Sequence, residues 1–198
     1  MPDFLARLAG LSAKARSATV EALARTWACL AVALARRRVP LGFLTAAAAV
    51  VFAQATWTSW RAGIGIALAG EAIRIWASGH LEKGREVTRS GPYRWTGHPL
   101  YVGSSIIALG VAVACRSPIV AALTFIYMAS TLTAAVRTEE AFLRREFRDA
   151  YDRYRRSPHE PAARRFSVER AMRNREHRAL AGLLAGFGFL ALKIVLHL

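Results

Sequence analysis

The stretch PLYVGSSIIALGVAVACRSPIVAALTFIYMASTLTAAV, residues 99–136, contains one charged side chain, Arg116, close to its middle. The residues on either side, 99–115 and 117–136, are each about as long and as apolar as a bilayer span requires, roughly 20 residues. Cys115-Arg116-Ser117 leaves room for little more than a turn. The two halves are therefore expected as a tight antiparallel helical hairpin, with the start of the first helix and the end of the second side by side.

Working outward, three further apolar segments occupy residues 40–57, 62–81 and 179–198. The apolar residues stand in blocks, which argues against a soluble globule. Segment 62–81 is interrupted by Glu71 and Arg74, three apart on a helix surface, where they can pair and lower each other's cost in lipid. Lys193 lies near the end of its segment, where a long side chain can snorkel. Residues 19–35 contain Glu21 and Arg25 and are expected as an interfacial or partial span. The expected fold is an all-α polytopic membrane bundle of about five transmembrane helices with a cytoplasmic cofactor pocket. A basic, amphipathic N-terminal segment, 1–39, precedes the membrane domain, 40–198. Gly182 and Gly186 form a GxxxG pair, expected as a helix-packing face.

Among 198 residues, 28 Lys and Arg stand against 13 Asp and Glu, a formal charge of +15. Nucleic-acid binding needs a basic face on a soluble fold or a reader motif, and neither is visible. The basic residues instead alternate by loop. Seven precede Val39, one (Arg61) falls in 58–61, four in 82–98, one (Arg116) in the hairpin turn and thirteen in 137–178. The positive-inside rule then predicts a multi-pass protein with a cytoplasmic N-terminus, which in a bacterium would place it in the plasma or inner membrane. Loops 82–98 and 137–178 fall on that same side, among anionic lipid headgroups. Arg7 and Lys14 break the N-terminal apolar stretch, so it does not read as a secretory signal. Cys29 and Cys115 are far apart and show neither metal-ligand nor disulfide spacing. No metal is expected, and no Walker loop, dinucleotide GxGxxG or nucleophile elbow is present.

Two motifs border the hairpin. The first, Ser90-Gly91-Pro92-Tyr93-Arg94-Trp95-Thr96-Gly97-His98-Pro99-Leu100-Tyr101-Val102-Gly103, turns at Gly91-Pro92 and again at Gly97. Pro99 suits the first turn of a helix, where its missing N–H costs nothing. His98 then sits at the helix mouth, and Tyr101 follows three residues on along one face. A plainer reading makes Tyr93, Trp95 and Tyr101 an interfacial aromatic belt. The second motif is Arg137-Thr138-Glu139-Glu140-Ala141-Phe142-Leu143. Glu139, Leu143, Phe147, Tyr151 and Tyr154 fall on one helical stripe, so the Glu139 carboxylate heads an apolar face. An acid aimed into a membrane-side interior is a candidate functional group. The alternative is ion pairing, Glu140 with Arg144 and Glu139 with an arginine of 82–98.

Together these motifs resemble the isoprenylcysteine carboxyl methyltransferases and their relatives, the membrane phospholipid methyltransferases. The family pattern runs Gly-Pro-Tyr, then (Arg)-His-Pro-x-Tyr-x-Gly opening a span, a hairpin, Glu-Glu, and a helix ending Phe-Gly-x-x-Tyr-x-x-Tyr. Here it reads GPYRWTGHPLYVG and RTEEAFLRREFRDAYDRY, within a motif core at residues 88–156. The resemblance implies S-adenosylmethionine as methyl donor, held by Tyr93, His98, Pro99, Leu100, Tyr101 and Glu139, with Glu140 as neighbour. It implies Arg137 as the nearest candidate for a substrate-contacting arginine, and singles out no catalytic acid or base. Gly97 replaces the family arginine before His98, which puts the substrate class in question, and Arg148 replaces the glycine after Phe147.

The implied reaction needs neither metal nor covalent catalysis, because a sulfonium is already an activated methyl donor and transfer requires mainly alignment and desolvation. A carboxylate acceptor needs no general base. An amine acceptor must lose a proton, for which Glu139, Glu140, His98 and Tyr101 are candidates. The expected partners are membrane lipids and a lipid-like or small amphiphilic acceptor. A rival family, the NADPH-dependent membrane sterol reductases, has an Arg-His-Pro-Asn-Tyr motif; its Asn and its later Glu are replaced here by Leu100 and Ser104. The remaining alternative is a non-catalytic membrane scaffold or small transporter.

Overall fold

A computed structural model describes residues 39–156 except Gly84, residues 164–197, and the isolated positions Thr26, Cys29, Ala33 and Arg37; for 148–156 it describes the backbone alone. Apart from those isolated positions, the expected N-terminal segment lies outside the described residues. Six α-helices and no strand occur among the described residues. They are α1 (Val39–Phe52), α2 (Trp57–Ser78), α3 (Pro99–Cys115), α4 (Pro118–Arg156), α5 (Val168–Arg173) and α6 (Glu176–Val195), with a 3-10 turn at Gly91–Arg94.

The first boundary differs from the expectation. The uncharged run suggested one segment to residue 57 and a turn at 58–61. The chain instead leaves helix at Ala53 and re-enters at Trp57. Thr56 and Ser59 form a capping box, each side chain accepting from the other's backbone N–H. That reciprocal pairing satisfies donors a helix start otherwise leaves open, and it places Arg61 inside α2. The end of α1 is capped by Lys193 of α6, whose Nζ donates to the carbonyls of Val50 and Val51 at 2.9 Å each. A cation at a helix C-terminus suits both the open carbonyls and the dipole.

The hairpin of α3 and α4 forms where expected. Pro99 and Pro118 each occupy the first position of a helix, and Arg116 takes a left-handed conformation (φ 48°, ψ 29°) that reverses the chain within two residues. The second arm is far longer than its apolar part. α4 runs 39 residues, because the charged continuation after Val136 consists mostly of good helix formers.

Helices α2 and α3 approach each other most closely, and glycines make the approach possible. A Cβ at Gly63 would lie 2.5 Å from the Gly110 carbonyl oxygen, and one at Gly70 would lie 2.6 Å from that of Gly103. The packing seam is thus Gly63, Ala67 and Gly70 against Gly103, Gly110 and Ala114. Among the described residues the expected packing face at Gly182 and Gly186 has no partner, since nothing lies within 4 Å of a Cβ at either. Small residues permit close packing but do not choose which helices pack.

The buried cluster, Ala49, Ala53, Ala67, Ala114, Cys115, Val120, Phe187 and Leu190, sits at the end of the bundle that holds the α1–α2 and α3–α4 turns. Trp60 packs against it and donates from Nε1 to the Phe187 carbonyl at 2.8 Å. Two helices, α4 through Phe147 and α6, are long and apolar enough to cross a bilayer, while α1 and α3 are apolar but shorter. Only 11% of the α6 span is buried within the protein. Phe125, Ile126, Leu184 and Phe189 face outward, the reverse of a soluble core helix and a surface suited to hydrocarbon.

Candidate functional site

At the opposite end of the bundle the helices part. The first half of α1, the starts of α3 and α6, the middle of α4 and the 81–88 loop enclose a cavity of about 1020 Å³. That reaches the top of the usual range for small-molecule sites, roughly 300–1,000 Å³. Its wall includes Tyr93, His98, Pro99, Leu100, Tyr101 and Glu139. Six side chains singled out from two separated motifs therefore share one space.

Local chemistry sets each of them. Gly91 takes φ 58°, and a Cβ there would fall 2.6 Å from Nδ1 of the buried His80, so the turn that presents Tyr93 requires glycine. Tyr93 is buried against the cavity. His98 is the N-cap of α3, yet its side chain makes no capping bond. Its ring stacks on that of Tyr101, with centroids 5.5 Å apart and planes 21° from parallel. The Tyr101 hydroxyl donates to Glu139 Oε2 at 2.8 Å, joining the start of α3 to α4. The same carboxylate lies 3.8 Å from His98 Nδ1, and Glu140 Oε1 lies 3.7 Å from His98 Nε2. The imidazole thus stands between two successive carboxylates.

The alternative reading, in which Glu139 pairs with an arginine of 82–98, is not met among the described residues. Among the described residues its partners are the Tyr101 hydroxyl and His98, with no lysine or arginine. Glu140 is absent from the cavity wall and meets the site through His98. Arg137 is exposed and also off the wall.

The arginine the structure brings to the cavity is Arg74. Its Nη2 donates to Glu176 Oε1 and Oε2 at 3.0 and 2.9 Å, and its Nη1 to Ser104 Oγ. The expected Glu71–Arg74 pair is present, with Nε and Oε2 3.4 Å apart. Glu176 and Glu71 are both buried. The sequence signalled Arg74 as a charge inside an apolar segment, but not its main partner. Glu176 lies among basic residues that read as a solvated stretch, and only the α5–α6 turn carries it inward.

The loop bordering the cavity is fastened from outside. Asn174 Nδ2 donates to the carbonyls of Ser78 and Leu81, at 2.9 and 3.0 Å. Arg164 pairs with Glu86 at 2.6 Å, and Arg170 and Arg173 approach Glu82 at 3.7 and 3.9 Å. These contacts occupy the outward carboxylates of the loop and leave Glu139 as the wall acid that meets no lysine or arginine among the described residues. Among the described residues, no group of three or more His, Cys, Asp or Glu is placed to hold a metal ion.

Comparison with known proteins bears on this arrangement. The chain is 32% identical over 98 residues to the cobalt-zinc-cadmium resistance protein CzcN of Cupriavidus metallidurans, covering 48% of this chain and 44% of that protein. It is 31% identical over 87 residues to the nickel-cobalt-cadmium resistance protein NccN of Alcaligenes xylosoxydans xylosoxydans, covering 43% and 41%. The chain thus spans under half the length of both curated relatives. No solved structure matches it. Residues 44–150, which include α2, α3, both motifs and most of the cavity wall, match the phospholipid methyltransferase family. With more than half of its length matched, the chain belongs to that family, which includes the isoprenylcysteine carboxyl methyltransferases.

Proposed function

We propose that this protein is a multi-pass membrane methyltransferase that uses S-adenosylmethionine to methylate a lipid-like or small amphiphilic acceptor, a carboxylate or an amine, at the cytoplasmic face. Family membership supports methyl transfer. The observation that carries the choice of donor is Glu139, a carboxylate on the wall of a large cavity, bonded by the Tyr101 hydroxyl and met by no lysine or arginine among the described residues. Such a charge suits a ligand bearing a sulfonium and an ammonium. It opposes the phosphates of NADPH, and Leu100 and Ser104 stand where the reductase motif has Asn and Glu.

Tyr93, His98, Pro99, Leu100, Tyr101 and Glu139 are the residues that would hold the donor. When bound, it supplies an activated methyl group, and transfer is an in-line displacement. The chain's part is then positional. Tyr101 fixes the carboxylate, the stacked His98 offers a ring face, and the fastened 81–88 loop limits water. The metal-resistance names of the relatives do not redirect this reading, since the donor groups that would hold an ion are not assembled among the described residues.

Isothermal titration of the full chain in neutral detergent tests the proposal. S-adenosylhomocysteine is expected to bind and NADPH not to, with S-adenosylmethionine binding more tightly than its neutral-sulfur product. Binding of NADPH alone would favour the reductase class, and binding of neither a scaffold. Labelled methyl transfer to fractionated lipid extracts then identifies the acceptor.

A further inference from the structure

Among the described residues His98 is the histidine of the cavity wall, and both of its ring nitrogens face carboxylates of α4. Nδ1 stands 3.8 Å from Glu139 Oε2, and Nε2 stands 3.7 Å from Glu140 Oε1. A carboxylate only accepts, whereas a neutral imidazole has one N–H and one lone pair. The neutral ring therefore turns a lone pair toward one of the two acids, whichever tautomer it adopts. The imidazolium carries an N–H on each nitrogen and meets both. Stacking on Tyr101, whose hydroxyl is bonded to Glu139, keeps the ring in place. Its side chain is 22% exposed, so a proton has a path to solvent.

Most other charged groups around the cavity are held elsewhere. Arg74 of α2 and Glu176 of α6 engage each other, and Glu82 and Glu86 of the 81–88 loop face arginines of residues 164–173. Arg94 lies over the Trp95 ring. Lys83 also lines the wall, to which α1 contributes no charged residue, and the phenols of Tyr93 and Tyr101 complete the titratable groups there. Glu139, Glu140 and His98 together carry a formal charge of −2 with the ring neutral and −1 with it protonated. An ammonium delivered to Glu139 changes that balance, because two cations then share one carboxylate and repel each other. Of the two, the imidazole is the type of group that gives up its proton between about pH 5 and 8. Its freed lone pair can then accept from the ammonium, a bond that the imidazolium cannot make.

We propose that binding of the donor is coupled to release of one proton from His98 to water, and that Glu140 is a positioning residue that sets this coupling by holding the imidazolium in the empty site. The inference rests on the methyltransferase reading, in which Glu139 receives the ammonium of the donor. At the acid end of the histidine range the ligand must displace a proton as well as bind. Affinity therefore rises with pH and levels off once the ring of the empty site is neutral. Glu140 does not line the cavity, so its effect on binding passes through His98.

The test titrates S-adenosylhomocysteine calorimetrically into the full chain in neutral detergent, from about pH 5 to about pH 8. At each pH, two buffers of different ionisation enthalpy give the number of protons released. The wild type is expected to release up to one proton toward the acid end, with affinity rising by as much as about tenfold per pH unit before its plateau. His98→Gln is expected to bind with no proton release and no pH dependence across this range. Glu140→Gln is expected to move the midpoint of the profile to lower pH, a shift that a merely structural loss of affinity does not produce. No release in the wild type, or a release that survives His98→Gln, would overturn the coupling, and an unmoved midpoint in Glu140→Gln would remove that residue from it. If His98→Gln shows no cooperative thermal melt, the wild-type proton count and the Glu140→Gln profile decide. Binding without proton release removes this inference alone, whereas no binding at any pH removes the methyltransferase reading on which it rests.

Discussion

The bond from the Tyr101 hydroxyl to Glu139 is the smallest unit on which the site depends, because it ties the start of α3 to α4 and orients the carboxylate that faces the cavity. A hydrogen bond to a charged group contributes about 1.5–3 kcal/mol. Glu139→Gln is therefore expected to weaken S-adenosylhomocysteine binding by roughly 10- to 100-fold, and Tyr101→Phe by about fivefold. If Tyr101 acts by holding Glu139, the double variant will bind no worse than Glu139→Gln alone, the non-additivity expected of residues that work as one unit. Unchanged affinity in Glu139→Gln would remove that residue from the site. Glu176 admits a different measurement. Removing one partner of a buried, bidentate pair costs about 3–5 kcal/mol, so Glu176→Ala should markedly lower the melting temperature, and Arg74→Met combined with Glu176→Gln should recover part of the loss. The residues at the cavity mouth were legible in the sequence because chemistry-bearing types are rare at the start of an apolar segment, and His98, Tyr101 and Glu139 stand out there. Arg74 was visible as an anomaly. Its partner was not, because Glu176 lies 102 residues away and nothing local marks it as buried.

Among the elements, the α2–α3 pair is the part of the bundle least tolerant of added volume. Gly70 and Gly110 each face backbone of the opposite helix, with a Cβ at 2.6 Å from a carbonyl oxygen. Overpacking of a tight contact costs about 1–3 kcal/mol even where side chains can move, and here the obstacle is main chain. Gly110→Val should lower the thermal midpoint by several degrees or abolish folded yield. Gly186→Leu, on a face with nothing nearby among the described residues, should change stability by no more than about 0.5 kcal/mol. Equal effects in thermal-shift measurements would mean that the seam is misassigned. Element boundaries were legible only where punctuation was strong. Pro99, Arg116 and Pro118 bracket the hairpin, and α3 spans residues 99–115 as the sequence implied. The break at Ala53–Thr56 was hidden because it falls inside an uncharged run; its marker was the Thr56–Ser59 capping pair, which hydropathy does not register. Helix past Val136 was legible from the Glu139–Tyr154 stripe; that it continues the apolar segment as one 39-residue helix was not, since loss of apolarity ends a membrane segment but not a helix.

For the whole molecule, the question is how an outward apolar surface and a charge of +15 orient one chain in a membrane. The structure gathers the 81–90 loop and the 164–175 segment at the cavity end, through Arg164–Glu86, Asn174 to Ser78 and Leu81, and the Ser167 N–H to the Gly79 carbonyl. Arg116 lies at the far end, beside the α1–α2 turn, where the Gln54 N–H meets the Cys115 carbonyl. The loop-by-loop count of basic residues had put the first two regions on one side and Arg116 on the other, so charge distribution and fold agree on which parts go together. The sequence conveyed this because orientation follows from summed charge near span ends, which is a one-dimensional quantity; the depth and shape of the cavity follow from side-chain contacts between distant helices and had no such signal. Single cysteines at Arg85, Arg173 and Arg116, all exposed, in a chain whose Cys29 and Cys115 are replaced by alanine, make the orientation measurable. A membrane-impermeant maleimide should modify Arg85→Cys and Arg173→Cys in inverted vesicles and Arg116→Cys in right-side-out ones. Modification of all three from one side would mean that the α3–α4 hairpin does not cross the bilayer. The cavity would then open at a membrane surface instead of beneath one, and an acceptor entering sideways from the lipid would have no path to Glu139.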